Sequence, residues 1–315
     1  MTEPMLPGPG EPGSGERWSD ERRSDERWLV TGAAGMLGTE VGRALTESCP
    51  DPAGQITLLT RAELDITDPA AVKAAVAGHD VVINTAAWID VDGAEASERE
   101  ATEVNGHAVR SLAHACAATG ARLLHISTDY VFPGDATEPI REDTPTSPVN
   151  AYGRGKLVGE QAVRELLPET GCVVRTAWLY GAHGRNFVST ILGAAEKREF
   201  VDVVDDQRGQ PTWARTLAGQ LVRLGRGAVR GTAPAGVYHG TCSGETTWFG
   251  LARAAFELTG LDPDRVRPTT SDKFVRPAVR PAYSVLAHDQ WARAGLEPLP
   301  AWRDCLAEFL AGETR

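Results

Sequence analysis

Tyr152 and Lys156 stand four residues apart in Tyr-Gly-Arg-Gly-Lys. On an α-helix such residues share a face, so the ammonium can stand beside the phenol. A neighbouring cation favours phenolate and draws a tyrosine pKa down from about 10 towards the working range. Such a pair can trade a proton with a carbonyl or carbinol oxygen. Upstream, Ser127-Thr128-Asp129-Tyr130 closes a predicted strand, where a hydroxyl can hydrogen-bond the same oxygen. A second stretch, Thr31-Gly32-Ala33-Ala34-Gly35-Met36-Leu37-Gly38, is G-x-x-G-x-x-G between a predicted strand and helix. Its first glycine permits a tight turn, its second lets a pyrophosphate approach the backbone, and its third allows close helix packing. The helix N-terminus then offers free N–H groups to phosphate.

These residues need a rigid frame, and the chain supplies one. Apolar runs over 28–31, 56–59, 80–84, 122–127 and 172–178 predict strands, and helical spacing falls over 36–47, 69–77 and 98–119. Continuous apolar strands alternating with helices predict an α/β fold, a Rossmann-type doubly wound parallel sheet covered on both faces. Ligands bind such sheets at the carboxyl ends of the strands. That edge is where both chemical stretches fall. After Phe187 the runs shorten and are broken by Pro211, Pro234, Pro263, Pro268, Pro277 and Pro281. The expected division is a flexible tail over 1–26, a mainly dinucleotide-binding domain over 27–180, and a smaller α/β substrate lobe over 181–315. Some segments of that lobe interleave with the first domain. The two glycines between Tyr152 and Lys156 lower helix propensity, so that helix needs tertiary support.

The end of the second strand bears on cofactor choice. An NAD site usually places an acid there to hold the ribose 2′-hydroxyl. Here the strand ends Leu59-Thr60-Arg61, and Arg61 can meet a 2′-phosphate instead. The expectation is NADPH in preference to NADH. Asp65 follows, placed either to accept from adenine or, like Asp68, to cap a helix.

Composition narrows the remaining classes. The 315 residues are 42% hydrophobic and 24% charged, which excludes a largely disordered chain. The net charge of −11, without a dense Lys/Arg run, argues against nucleic acid as a partner. No run reaches the roughly 18–20 apolar residues of a membrane span, and the N-terminus has no apolar signal-peptide core. Cys49, Cys116, Cys172, Cys242 and Cys305 are scattered, as expected of reduced thiols in the cytoplasm. The dispersed histidines form no metal motif, so no metal site is expected.

From about Trp28 to Phe309 the chain resembles the extended short-chain dehydrogenase/reductases, and within them the dTDP-4-dehydrorhamnose reductase family. Besides the glycine turn and the Tyr152/Lys156 pair, the resemblance rests on Leu64-Asp-Ile-Thr-Asp68, Asn84-Thr-Ala-Ala-Trp-Ile-Asp-Val-Asp-Gly-Ala-Glu95 and Val104-Asn105. It continues through Ser127-Thr-Asp-Tyr-Val-Phe132, Arg175-Thr-Ala-Trp-Leu-Tyr-Gly181, Asn186-Phe187, Asp206-Gln-Arg-Gly-Gln-Pro-Thr212 and Arg280-Pro-Ala-Tyr-Ser-Val285. It implies reduction of the C4 keto group of a dTDP-4-keto-6-deoxyhexose, with a homodimer left open. The competing expectation is a non-catalytic NADP-binding regulatory subunit like the methionine adenosyltransferase β subunit.

The same resemblance assigns roles. Gly32, Ala34, Gly35, Met36 and Leu37 would line the pyrophosphate, Asp65 and Ile66 would hold adenine, and Ala86, Ala87 and Trp88 would run along the cofactor. Asn105 matches a helix asparagine that organises a proton-relay water. Tyr152 would donate the proton, Lys156 would lower its pKa and bind the nicotinamide ribose, and Thr128 would polarise the keto oxygen. Val91, Asp129, Tyr130 and Trp178 would shape the sugar pocket, and Arg280 offers a planar fork for the diphosphate. Related dehydratases carry a glutamate base where Tyr130 stands, so reduction without elimination is expected. The family often has histidine or tyrosine where this chain has Trp88, and Ile89, Asp90 and Gly93 also depart from the rhamnose-pathway pattern. Arg61→Ala should weaken NADPH binding far more than NADH binding in a fluorescence titration; equal weakening would remove the basis for the NADPH preference.

Overall fold

The computed structural model describes residues 25–49 and 51–313. The expected tail therefore lies outside the described residues up to position 24. Six strands form one parallel sheet: β1 (Trp28–Thr31), β2 (Ile56–Leu59), β3 (Val81–Asn84), β4 (Arg122–Thr128), β5 (Gly171–Thr176) and β6 (Gly236–His239). Their order is β6-β5-β4-β3-β1-β2, every neighbour parallel. The order reverses between β1 and β3, and a crevice opens at the carboxyl end of such a switch point.

Alternate residues of each strand explain the two covering layers. Trp28, Val30, Val81 and Ile83 point into one core, with Val41 and Leu45 of α1 (Met36–Ser48). Leu29, Val82 and Leu123 point into the other, with Val72 of α2 (Pro69–Val76). Both faces are apolar because neither meets water.

The helix expected over 98–119 is not regular. After α3 (Val91–Ala96), α4 (Glu98–Thr102) runs into a π-helical turn at Glu103–His107, and α5 (Ala108–Thr119) completes it. Such bulges turn a chosen side chain inward. Here that residue is Asn105, fully buried. The tyrosine–lysine helix, α6 (Ala151–Leu166), starts at Asn150, whose side chain accepts from Gly153 N–H.

The later chain returns to the sheet and also builds a second layer. It supplies β6, and α8 (Ala214–Arg230) packs on α1, placing Leu217 and Leu221 in the first core. In sequence order α7 (Phe187–Ala195) precedes α8, and α9 (Trp248–Leu258) follows β6. These two cover a parallel pair, Val201–Val204 with Val266–Thr269, around Ile191, Ala252 and Phe256. Trp213 and Trp291 are buried, while Trp248 and Trp302 pack partly exposed against the first core. All five cysteines are free and buried.

One buried ion pair ties α6 to the sheet. Arg175 of β5 donates through Nε (2.9 Å) and Nη2 (2.7 Å) to the Glu160 carboxylate of α6. The pair is almost sealed from water, with side-chain exposures of 2% and 1%. Removing one partner leaves a buried charge alone, at a cost of about 3–5 kcal/mol. Glu160→Ala should lower stability by that amount in urea denaturation. Replacing both residues together, Glu160→Met with Arg175→Leu, should recover most of it; equal losses for single and double variants would contradict this account of the pair.

Candidate active site

The glycine turn follows β1 directly. Gly32 has φ +71°, and a Cβ there would meet Ala86 N at 2.6 Å. Only glycine combines that backbone with that approach. A Cβ at Gly38 would overlap the Gly32 carbonyl and meet Thr85 Oγ1 at 2.8 Å. The turn is pinned on its other side, where Ala33 N–H donates to Leu59 O at the end of β2 (3.1 Å). Gly35 caps α1 with no side-chain cap, and the first turn carries no acid. Uncapped amides at a helix N-terminus suit a phosphate anion. Ala34 and Gly35 are exposed, Met36 half-buried and Leu37 buried, so the turn presents Ala34 and Gly35 outward. This arrangement fits the pyrophosphate of a dinucleotide.

Beyond β2, Arg61 is exposed and its charge acts on Asp65. Asp65 accepts from Thr67 N–H (3.0 Å) and Oγ1 (2.7 Å), which hold its carboxyl below the usual carboxylate range. Asp68 takes the helix-capping role, accepting from Ala70 and Ala71 N–H, and Ile66 is buried beneath. On the far side of the switch point, Ala86, Ala87 and Trp88 leave β3 half-buried. Asn105 fixes this strand end: its Oδ1 accepts from Trp88 N–H (2.9 Å) and its Nδ2 donates to Trp88 O (3.0 Å). With both ends of the amide used on the backbone, Asn105 orients the loop. A polar chain also crosses three strands, from Thr31 Oγ1 to Asn84 Oδ1 (2.6 Å) and from Asn84 Nδ2 to His125 Nδ1 (3.0 Å).

Tyr152 and Thr128 come together at the end of β4, where the Thr128 hydroxyl stands near the Tyr152 phenol. Thr128 Oγ1 also donates to Asp129 Oδ1 (3.0 Å) and accepts from Tyr130 N–H (3.1 Å). Asp129 is buried, its carboxyl pushed up to about 6 by desolvation, which the neighbouring Ser284 and Thr128 hydroxyls only partly oppose. The rings of Tyr130 and Tyr152 meet edge to face, centroids 6.1 Å apart. Ser127, by contrast, is spent on structure, donating to Glu160 Oε1 at 2.5 Å.

The expected effect of Lys156 on Tyr152 is not present in this state. Burial pushes the Tyr152 phenol above its ordinary value, the Asp129 charge adds to the rise, and the nearby Thr128 hydroxyl only partly opposes it. The physical reason is where the ammonium goes. Lys156 Nζ donates to Ile126 O at 2.6 Å, turned into the strand rather than onto the phenol. Its own pKa falls to about 8, lowered by burial and held up by Glu160 one turn along. Tyr152 is thus a neutral phenol, charged with its proton.

The sugar side holds Val91, half-buried at the start of α3, and Trp178. Trp178 has φ +48°, rare for a bulky side chain, and stacks on Trp248 at 3.7 Å. Arg280 is not free: both its Nη atoms donate to the Asp92 carboxylate of α3. Neither Asp92 nor Glu160 is given a role by the sequence motifs. Glu160 had a signal, its i+4 spacing from Lys156, while the partners of Asp92 lie more than a hundred residues away and left none.

A parallel sheet reversing at a glycine turn, with a tyrosine and lysine set one helical turn apart beside a strand-end threonine, defines an extended short-chain dehydrogenase/reductase. Within that class the chain belongs to the RmlD family, whose model, described as the RmlD substrate binding domain, matches residues 26–315. It is 56% identical to a dTDP-4-dehydrorhamnose reductase of Streptomyces griseus over 284 residues, covering 90% of this chain and 92% of that one. It is 50% identical to a dTDP-4-keto-6-deoxy-D-glucose reductase of Streptomyces niveus, covering 90% and 96%. Among solved structures it resembles a dTDP-4-dehydrorhamnose reductase of Bacillus anthracis in complex with NADP, at 34% identity and TM-score 0.83, covering 91% and 99%. No described helix is long and apolar enough to cross a membrane.

With lysines labelled at Cε, NMR should find one resonance, lost in Lys156→Arg, that is protonated below pH about 8 and neutral above it. Every lysine titrating at its ordinary value would show that the ammonium is not buried.

Proposed function

We propose that the chain is an NADPH-dependent reductase of the C4 keto group of a dTDP-4-keto-6-deoxyhexose. The observation that carries this reading is the meeting of the Thr128 and Tyr152 hydroxyls at the carboxyl end of β4, with Tyr130 rather than a carboxylate after Asp129. The names of the relatives supply the substrate class. When bound, NADPH supplies a hydride to C4, and the relative solved with NADP supports that cofactor.

The remaining chemistry falls to the chain's own residues. Tyr152 and, once its hydroxyl turns from Asp129, Thr128 hold the keto oxygen, and Tyr152 gives that oxygen its proton as negative charge develops there. The raised phenol suits this direction, because a proton donor must be protonated before the reaction. The phenolate left behind needs a cation, and Lys156 provides it when its ammonium turns from Ile126 O towards the phenol. Tyr130, whose own phenol burial also pushes up, is no base for the proton abstraction that elimination requires. Ala34, Gly35 and the open turn of α1 hold the pyrophosphate, Arg61 the 2′-phosphate, and Asn105 keeps Trp88 and its strand end against the cofactor. Val91, Asp129, Tyr130 and Trp178 line the sugar side. In this division residues 27–180 mainly hold cofactor and 181–315 mainly hold sugar nucleotide. Five buried free thiols and NADPH support work in the cytoplasm.

The test follows absorbance at 340 nm with purified protein, NADPH and dTDP-4-keto-6-deoxyglucose, with and without a 3,5-epimerase. Oxidation that needs the epimerase places the enzyme on the rhamnose route, and oxidation without it on another deoxysugar. Cofactor binding with no oxidation of any such substrate would favour a regulatory subunit instead. Tyr152→Phe should reduce kcat by about 10²–10⁴-fold with NADPH affinity unchanged. A wild-type kcat in that variant would end the proton-donor assignment.

A further inference from the structure

Asp92 has no part in the chemistry above, yet its carboxylate gathers donors from a segment far along the chain. Both Nη atoms of Arg280 reach it, Nη2 at 2.9 Å, together with Arg276 Nη1 (3.4 Å) and Ala278 N–H (3.2 Å). We propose that Asp92 is a positioning residue for the sugar nucleotide: it neutralises Arg280 and fixes segment 276–284 as the wall of the sugar pocket. This rests on the 4-ketoreductase reading.

The wall is traced by its contacts. Val279 O accepts from Asn150 Nδ2 (2.9 Å), two residues before Tyr152. Pro281 lies against Gly134, and Tyr283 N–H donates to Gly134 O (3.1 Å) in the loop after Tyr130. Ser284 faces Asp129. The same short helix α3 grips the catalytic helix: Glu95 Oε1 accepts from Ala151 N–H (2.8 Å) at the first turn of α6. Arg154 of α6 also forks onto Glu98 of α4 at 2.6 and 2.9 Å. Asp92 therefore stands where the wall and the Tyr152 helix are joined.

Chemistry then assigns Arg280 a task other than holding diphosphate. A guanidinium has five donors and no acceptor. Two of those donors go to Asp92 and one also to Ala278 O (2.7 Å), while the guanidinium faces the Tyr130 hydroxyl. Towards a guanidinium the Tyr130 oxygen can act only as an acceptor, which keeps the Tyr130 O–H available to donate to a substrate oxygen. A guanidinium paired in this way with a carboxylate carries little net attraction for a diphosphate.

The Asp92→Asn variant separates the two roles by sign. Asparagine keeps the shape and removes the charge, at a side chain 25% exposed that can still hydrogen-bond. The expected result is a KM for dTDP-4-keto-6-deoxyhexose raised about tenfold or more, as for loss of a charged hydrogen bond. The Kd for NADPH should be unchanged, kcat should change less than KM, and Asp92→Glu should restore part of the loss. Sugar-nucleotide binding that is unchanged or tighter would mean that Arg280 had been freed to serve the diphosphate, and would overturn the proposal. If the Asn variant does not fold, Arg280→Lys replaces it, keeping the charge and losing the fork. The same rise in KM is expected there, and an unchanged KM overturns the proposal equally. Absence of turnover by the wild type would sink the ketoreductase reading and this inference with it, whereas wild-type turnover with an unaltered variant KM would sink this inference alone.

Discussion

How closely α6 can seat against its neighbours governs everything at this site. A Cβ at Gly153 would overlap the Tyr130 carbonyl, one at Gly159 the Asn105 carbonyl, and one at Gly155 would crowd Thr102 Oγ1 at 3.3 Å. These three glycines cost helix propensity, and tertiary contact offsets that cost. In return the helix backbone lies directly on the π-turn and on the end of β4. That seating brings Tyr152 to Thr128, and Lys156 to Ile126 O.

Close seating also removes water, and the titratable groups respond. Burial raises Tyr152 and Asp129 and lowers Lys156, each towards its neutral form. The charge of buried Glu160 is matched: its carboxylate receives Arg175 twice and Ser127 once. Glu160 also holds the pKa of Lys156 up against desolvation. The β4 segment Ile126-Ser127 is therefore held at successive residues, by Lys156 and by Glu160, with the Tyr152 phenol close to Thr128 beyond it. A site arranged this way is ready to deliver a proton and to welcome a developing negative charge.

The sequence carried the frame well because the frame rests on local pattern. Apolar runs marked β1 through β5, and Gly32 and Gly38 sit where a positive φ and a close approach demand them. What it carried poorly were contacts between distant segments. The helix over 98–119 read as regular because nothing local announces that Asn105 must turn inward to Trp88. The Tyr152–Lys156 spacing rightly placed both residues on one helix, but it could not say that Lys156 would spend its ammonium on a strand carbonyl. Arg280 read as a free cation for the same reason, since Asp92 lies on α3 and only the fold brings them together. The glycines of α6 read as a weakness, and their use appears only once the neighbouring backbones are in place.

The central claim is that Tyr152 waits as a protonated phenol in a desolvated site. With tyrosines labelled at Cζ, NMR would follow its ionisation directly, the Tyr152→Phe variant identifying the resonance. The account predicts a Tyr152 signal that stays in the protonated position past pH about 10, the ordinary tyrosine value. Ionisation near or below pH 8 would mean that Lys156 already holds a phenolate in the free protein, and would contradict the account.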